Sequence, residues 1–304
     1  MPADIQWHGV GRGAVRLFVR KVEPYLWVIP AFCVLFVFTH LPILLESVLG
    51  LFAANGLSPP KFIGLQNYLE VLSDQDIWAA IEHNVIYAVG TVAGKVTLSL
   101  LLAVLLNQRL IGRNIFRTVL FLPVVLSFVA IGLIWTLFFN FDHGILNETL
   151  KALSLQGLTH DWLGSADTAL GAVIFVDIWK WTGFHLVIYL AGLQSIPKDL
   201  YEAALIDGAN AWQRFWRITV PLLQPFTAIN VLLASLGAFS VFDLVYVMTQ
   251  GGPFNATNVA MLEIYLQAFQ FNRLGYAGAM SLVLLVLVAV MSIVILRITR
   301  AKTD

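Results

Sequence analysis

Charge is scarce in this sequence. Of 304 residues, only 12% are Asp, Glu, Lys or Arg, while 59% are hydrophobic. A soluble globular chain carries about 25% charged and about 45–50% apolar residues. Too little polar surface remains here to keep so much apolar surface in water, so the bilayer is the natural solvent. The few charges also cancel, giving a formal net charge of zero. A nucleic-acid partner needs clustered basic charge, and none is expected. Cysteine is nearly absent: Cys33 stands alone in an apolar run. It has no partner for an internal disulfide and reads as a small hydrophobe. The six histidines show no metal-ligand spacing, and His143 and His160 have no cysteine nearby, so no metal site is expected. No Ser/His/Asp or paired-carboxylate arrangement suggests catalysis.

A phosphate-binding loop is missing too. Gly90, Gly94 and Lys95 resemble one, but three residues separate the glycines where four are needed, and Val96 replaces the required Ser or Thr. The cluster also falls inside an apolar run. The chain is therefore expected to bind no ATP itself and to hold no cofactor.

Long apolar runs are what the sequence has in abundance. Six are evident: Tyr25–Leu51, Ile81–Leu106, Phe116–Phe139, Ala169–Leu193, Ile218–Met248 and Tyr276–Ile298. A spanning helix needs about 20 such residues, so an all-α protein with six transmembrane helices is predicted. Arg12, Arg16, Arg20 and Lys21 before the first run give it the look of a signal peptide. A secretory apolar region is about 7–15 residues; this run is longer and reads as a retained anchor. Trp135, Phe138 and Phe139 suggest an interfacial aromatic belt.

Basic residues set the orientation. They gather at the N-terminus, at Arg109, Arg113 and Arg117, at Lys198, Arg214 and Arg217, and at Arg297, Arg300 and Lys302. The alternate loops hold only Lys61, Lys151 and Arg273. Both termini are thus expected in the cytoplasm. The predicted organisation is a cytoplasmic segment 1–24, a first helix and outer loop 25–80, a core 81–298 with a cytoplasmic loop 194–217, and a tail 299–304. The first outer loop has an amphipathic stretch from Asn67 to His83, the third is long and glycine-marked, and the fifth opens on Gly251-Gly252-Pro253. The sequons at Asn147 and Asn255 are short enough to arise by chance.

The cytoplasmic loop carries the most specific signal. Ser195 is a plausible helix N-cap, and Pro197 suits a first turn. Asp199 and Glu202 follow, where negative charge complements the helix dipole. Leu200, Ala203, Ala204 and Asp207 share one face. Gly208 then interrupts the helix, which suggests a turn or a close backbone contact. A second short segment, 209–217, leads to Ile218 and to Pro221, where a kink or helix start is expected. Such an element can dock into a groove on a soluble partner.

Glu202-Ala203-Ala204, Gly208, Ile218 and Pro221 at this spacing resemble the "EAA" loop of ABC-importer permeases. Leu193–Pro197 (LQSIP), Thr249–Pro253 (TQGGP) and Gly275-Tyr276-Ala277 resemble the carbohydrate-importer permeases in particular, the group that includes the maltose permease. The resemblance runs from Asn84 to Ile298, and more weakly over Phe62–Tyr68. One departure is Val220 before Pro221, where leucine is commoner. The resemblance implies the type I importer, or MetI-like, permease fold. It implies a second permease subunit, two cytoplasmic ATPase subunits that bind ATP and Mg, and an extracytoplasmic solute-binding protein. It assigns Glu202, Ala203, Ala204, Asp207, Gly208, Arg214 and Pro221 to ATPase coupling.

Ionisable residues inside apolar runs are costly and mark function or helix locking. Asp177 and Lys180 are expected to pair at i, i+3, and Lys95 to snorkel or face the bundle interior. Trp181, Phe184 and His185 lie at similar depth in the fourth run. In the fifth run, Gly237, Ala238, Ser240, Val241, Asp243 and Tyr246 combine small residues, aromatic rings and an acceptor. Together with Asp177 and Lys180, these form the expected substrate pathway, for a sugar. One rival is the same architecture serving glycerol phosphate or an acidic or sulfonated sugar. The other is a gradient-driven secondary transporter, for which an inverted repeat is typical and none is seen.

Overall fold

The computed structural model describes residues 25, 27–108 and 111–300. The basic residues Arg12, Arg16, Arg20, Lys21, Arg109 and Lys302, segment 1–24 and positions 301–304 of the tail lie outside the described residues.

The described chain is helical apart from one short antiparallel pair, β1 (Phe52–Ala53) with β2 (Lys61–Phe62), in which Phe52 faces Phe62. Four helices are long and apolar enough to cross a membrane unaided. They are α1 (Trp27–Leu49), α3 (Gln75–Leu106), α7 (Ala166–Ser195) and α13 (Leu274–Arg300), the last apolar to Arg297. Two further helix pairs are together long and apolar enough, and each is sharply bent, as in a broken span or a re-entrant loop.

The first broken pair corrects the expected third run. Residues 116–139 do not form one helix: α4 (Arg113–Val125) and α5 (Phe128–Phe138) meet at 103°. Pro123 removes a donor near the end of α4, Leu126 is extended (φ −74°, ψ 146°), and Ser127 restarts the chain by accepting the Ala130 N–H at 3.2 Å. A helix broken at membrane depth exposes carbonyls that must be satisfied from within the protein. Lys180 does this: its Nζ donates to the carbonyls of Pro123 (3.2 Å), Val124 (3.2 Å) and Leu126 (2.6 Å).

The expected fifth run is also divided. α9 (Ala211–Leu222) meets α10 (Gln224–Phe239) at 65°. Pro225 sits in the first turn of α10. After a break at 240–242 comes α11 (Asp243–Met248). The second run starts earlier than expected, at Gln75, because Asp74 caps α3 by accepting the Asp76 N–H at 2.9 Å. The amphipathic stretch from Asn67 is therefore split between α2 (Gln66–Ser73) and the first turns of α3. Tyr68 on α2 donates to the Ser47 carbonyl at 2.7 Å, and burial pushes its pKa up.

The bundle is built on α3 against α7. Gly94 permits the approach, since a Cβ there would fall 2.2 Å from Ile178 Cδ1. The glycine–lysine cluster that mimics a phosphate loop is thus a helix-packing seam. Trp135 is the centre of an aromatic cluster more than part of a belt: Phe138, Phe139, Phe175 and Trp179 lie 5.3–5.4 Å away, centroid to centroid. In the third outer loop, α6 (Ile145–Ala152) is held by Asn147. Its Nδ2 donates to the Phe141 and His160 carbonyls at 3.2 and 2.9 Å, and its Oδ1 accepts from Trp162 Nε1 at 2.9 Å. That asparagine is 1% exposed, so its sequon is closed to glycosylation in the folded chain.

A short helix α12 (Ala260–Tyr265) leads toward α13. It is stitched to the bundle by Asn84, which accepts the Ala260 N–H at 2.8 Å and donates to the Ala238 carbonyl at 3.1 Å. Between α7 and α9 lies the loop helix α8 (Lys198–Ile206).

Candidate functional site: an inner cavity and an exposed loop

A cavity of about 380 Å³ opens between α7 and the α10–α11 break. α7 contributes Asp177, Trp181, Phe184 and His185. The other wall contributes Gly237, Ser240, Val241 and Asp243. These eight are brought together as the sequence suggests, because 177, 181, 184 and 185 share one helix face and the break after Phe239 turns the next residues inward.

Three expected pathway residues do not line it. Ala238 is fully buried and presents its carbonyl to Asn84. Tyr246 stacks on Phe242 at 5.3 Å and meets Tyr265 edge to face at 5.5 Å. Lys180 caps the broken end of α4, as above.

The expected Asp177–Lys180 pair is likewise corrected. Asp177 pairs with Lys95 of α3, at 2.5 Å. Their side chains are 5% and 3% exposed, so Lys95 faces the bundle interior. Spacing along one helix says which residues share a face, but the facing helix supplies the nearer cation. Lys180 lies behind the aromatic wall, 4.7 Å from the Phe128 ring centroid and 5.3 Å from that of Trp181. At this distance it polarises and holds both rings. His185 is fixed by Asn230, whose Oδ1 is 2.8 Å from Nδ1.

Phe128 and Phe242 also line the cavity, and sequence reasoning passed over Phe128. The signal for Phe128 was the Pro123…Ser127 stop-and-restart, which places the next residue at a helix mouth. A larger groove of about 660 Å³ between α1, α10, α12 and α13 is lined mainly by Leu, Ile, Phe and Ala. Its polar lining residues are Glu46, Ser47, Ser240, Tyr265 and Ser281.

The second feature is the loop 194–217. Here two expectations are corrected. Ser195 is the last residue of α7, its Oγ donating to the Gly192 carbonyl at 2.8 Å, and caps nothing. Pro197 is itself the N-cap of α8, extended at φ −59°, ψ 133°. Glu202 and Ala203 are exposed and Ala204 is half-buried. Asp207 ends the helix, and Gly208 follows in the left-handed region at φ +78°. The Ala209 N–H then reaches the Ala204 carbonyl (2.8 Å) and the Gly208 N–H the Leu205 carbonyl (3.1 Å). This double closure wants glycine at the left-handed position. Beyond its chain neighbours, no atom of the described residues would lie within 4 Å of a Cβ on Gly208, so the glycine serves a turn. Asn210 and Gln213 form a reciprocal cap at 2.9 Å each way and restart the chain as α9. Arg214 is half-buried within α9, and Pro221 is exposed in its last turn.

The loop also carries apolar surface that the sequence reading did not single out. Ile206 is 87% exposed and Trp212 70%. Leu205 and Trp216 are exposed as well. Large apolar side chains clustered on a loop mark a contact with a protein or with the membrane surface. The two arms of the loop are tied by Tyr201 and Thr219, whose hydroxyl oxygens are 2.9 Å apart. Tyr201 packs on a buried cluster that includes Leu190, Leu193 and Leu223.

A bundle of apolar spans around a polar inner cavity, with an exposed helix–turn–helix loop, defines a membrane permease body. The pattern of binding-protein-dependent transport system inner membrane components matches residues 95–302, and the chain belongs to that family. It is therefore an inner-membrane component of a transport system. A probable ABC transporter permease, YurN of Bacillus subtilis, is 39% identical over 277 residues, covering 90% of this chain and 94% of that protein. The trehalose/maltose transport system permease MalF of Thermococcus litoralis is 38% identical over 284 residues, 92% of this chain and 94% of its own. The lactose transport system permease LacF of Rhizobium radiobacter is 37% identical over 275 residues, 89% and 92%. Among solved structures, a chain of a bacterial ABC transporter involved in import of the acidic polysaccharide alginate superposes with a TM-score of 0.84. It is 22% identical, and the match covers 96% of this chain and all of that one. At that identity the likeness speaks for the fold.

Proposed function

We propose that this chain is a permease subunit of an ATP-driven, binding-protein-dependent sugar importer, and that the cavity between α7 and α10 is part of its sugar path. One observation carries the proposal. The exposed loop joins the two helices that wall the cavity. From Trp181 to Ser195 is 14 residues of α7, and from Leu223 to Gly237 is 14 residues along α10. At 1.5 Å per residue each arm is about 21 Å. Whatever grips the loop therefore holds both walls.

In this reading all six segments cross the membrane, the two bent pairs counting as one span each, with both termini cytoplasmic. A second permease completes the path. Two ATPase subunits hold ATP and Mg and receive the apolar tips Ile206 and Trp212 beside Glu202 and Gly208. ATP binding closes the ATPases, the loops follow, and the pair opens outward to take sugar from a docked binding protein. Hydrolysis resets it. This chain supplies shape and coupling, with no bond broken on it. Relatives named for trehalose/maltose and lactose support a sugar as cargo.

The test is purification from the native membrane in mild detergent, followed by uptake in reconstituted vesicles. Co-elution of an ATPase, a second permease and a binding protein is expected, with sugar uptake that needs ATP and survives collapse of the ion gradient. Uptake that follows the gradient and ignores ATP would refute the proposal.

A further inference from the structure

The ionisable side chains of the cavity bear on which solutes it can take. Four ionisable side chains line it: Lys95, Asp177, His185 and Asp243. Lys95 and Asp177 neutralise each other at 2.5 Å. Lys180, the other cation at this depth, is turned to three carbonyls outside the lining. His185 has its tautomer set by Asn230. The Asn230 amide nitrogen is directed to the His185 carbonyl at 3.5 Å, which leaves Oδ1 facing Nδ1 at 2.8 Å. An amide oxygen only accepts, so Nδ1 carries the proton, and in the neutral ring Nε2 is an acceptor. Asp243 forms no ion pair among the described residues. Among the described lining residues the cavity is thus rich in acceptors, holds in Asp243 a carboxylate without an ion pair, and has in Lys95 one cation, already engaged by Asp177; Lys180 stands behind the rings, where its ammonium cannot bond to a solute.

We infer that this cavity selects an uncharged saccharide and rejects carboxylated or phosphorylated ones. The inference rests on the cavity being a sugar path. A neutral sugar brings hydroxyl donors, which suit Asp243, Ser240 and Nε2 of His185. It also brings C–H faces, which suit the rings of Trp181, Phe184 and Phe128. A uronate brings a like charge to Asp243 inside low-dielectric walls, where repulsion is stronger than in water. It also gains no cation unless the Lys95–Asp177 pair breaks. The structural neighbour from the alginate system shares the fold at 22% identity. On this inference charge preference lies in lining side chains and not in the shared architecture.

The experiment uses the co-purified importer in lipid nanodiscs. Trp181 emission is followed on titration with maltotriose, neutral, and with trigalacturonate, three carboxylates. The Trp181→Phe variant identifies the signal. Maltotriose is expected to shift the emission saturably, with trigalacturonate at least tenfold weaker. Asp243→Asn is expected to narrow the ratio several-fold by improving the anion. Asp177→Asn, which frees Lys95, is expected to narrow it further; should that variant not assemble, Asp243→Asn decides alone. Equal affinity for the two probes, or an unchanged ratio in Asp243→Asn, overturns the inference while leaving a sugar importer standing. Binding of neither probe, with ATPase activity intact, also overturns the inference, since the cavity then does not select the neutral saccharide, and it leaves a sugar importer standing.

Discussion

Replacing Gly208 with aspartate separates the stability of the loop from its use. The glycine sits at φ +78°, and beyond its chain neighbours no atom of the described residues lies within 4 Å of its missing side chain. A non-glycine residue in the left-handed region costs about 1–2 kcal/mol, and aspartate is among the residues that tolerate it best. Against a total stability of about 5–15 kcal/mol, a cost near 1 kcal/mol leaves the chain folded and in the membrane. Docking is another matter. A partner surface closing on the turn would meet new bulk, at about 1–3 kcal/mol, and would strip water from a new charge at several kcal/mol more. At 1.4 kcal/mol per tenfold, coupling should fall by about 100-fold or more. The assay is sugar-stimulated ATPase activity and uptake in proteoliposomes, beside the amount of chain in the membrane. Gly208→Asn keeps the backbone preference without the charge and should fall between wild type and Gly208→Asp. Full uptake by Gly208→Asp would refute the reasoning, for the turn would then face water throughout the cycle.

Further outcomes are expected elsewhere. Lys95→Met strands the Asp177 carboxylate and should lower stability by about 3–5 kcal/mol. Thermal unfolding in detergent measures it, and the double variant Lys95→Met/Asp177→Leu should recover most of the loss. Trp181→Ala with Asp243→Ala should weaken apparent sugar affinity in the reconstituted complex; unchanged affinity and rate would make both residues scaffold. Asn147→Ala leaves the Trp162 indole and two carbonyls without their partner. At about 1–3 kcal/mol per stranded buried group, the outer loop 140–168 should become the first site of limited proteolysis, and wild-type resistance would count against its role as a hub.

What the sequence disclosed follows the range of the interactions involved. Gly208 was legible because a helix stop is local: the glycine, Pro197 and the acidic first turn lie within one short window. The grouping of Asp177, Trp181, Phe184 and His185 was legible because helical periodicity alone puts them on one face. The partner of Asp177 was not, because Lys95 is adjacent only once α3 lies against α7, and the seam that brings it there depends on Gly94 meeting Ile178. The 103° break between α4 and α5 hid inside a continuous apolar run. Hydropathy does not register a bend, and Pro123 with Ser127 was the cue that went unused. Ser195 was misread because a good capping side chain also ends helices, bonding backward to Gly192. Ile206 and Trp212 were passed over because an apolar residue in an apolar chain draws no notice until its exposure is known.

The tie between the loop and the two cavity walls has a consequence for timing. Tyr201 and Thr219 join the arms, and the cluster around Leu190, Leu193 and Leu223 packs them into one block. A tilt of about 10° in that block, carried along arms of about 21 Å, displaces each wall by about 4 Å, roughly the thickness of a sugar ring's van der Waals contact. Both walls receive that stroke from a single input. They have one degree of freedom between them, so neither can lag the other. In the proposed importer the cavity between α7 and α10 therefore travels as a unit, and access changes where this block meets the second permease.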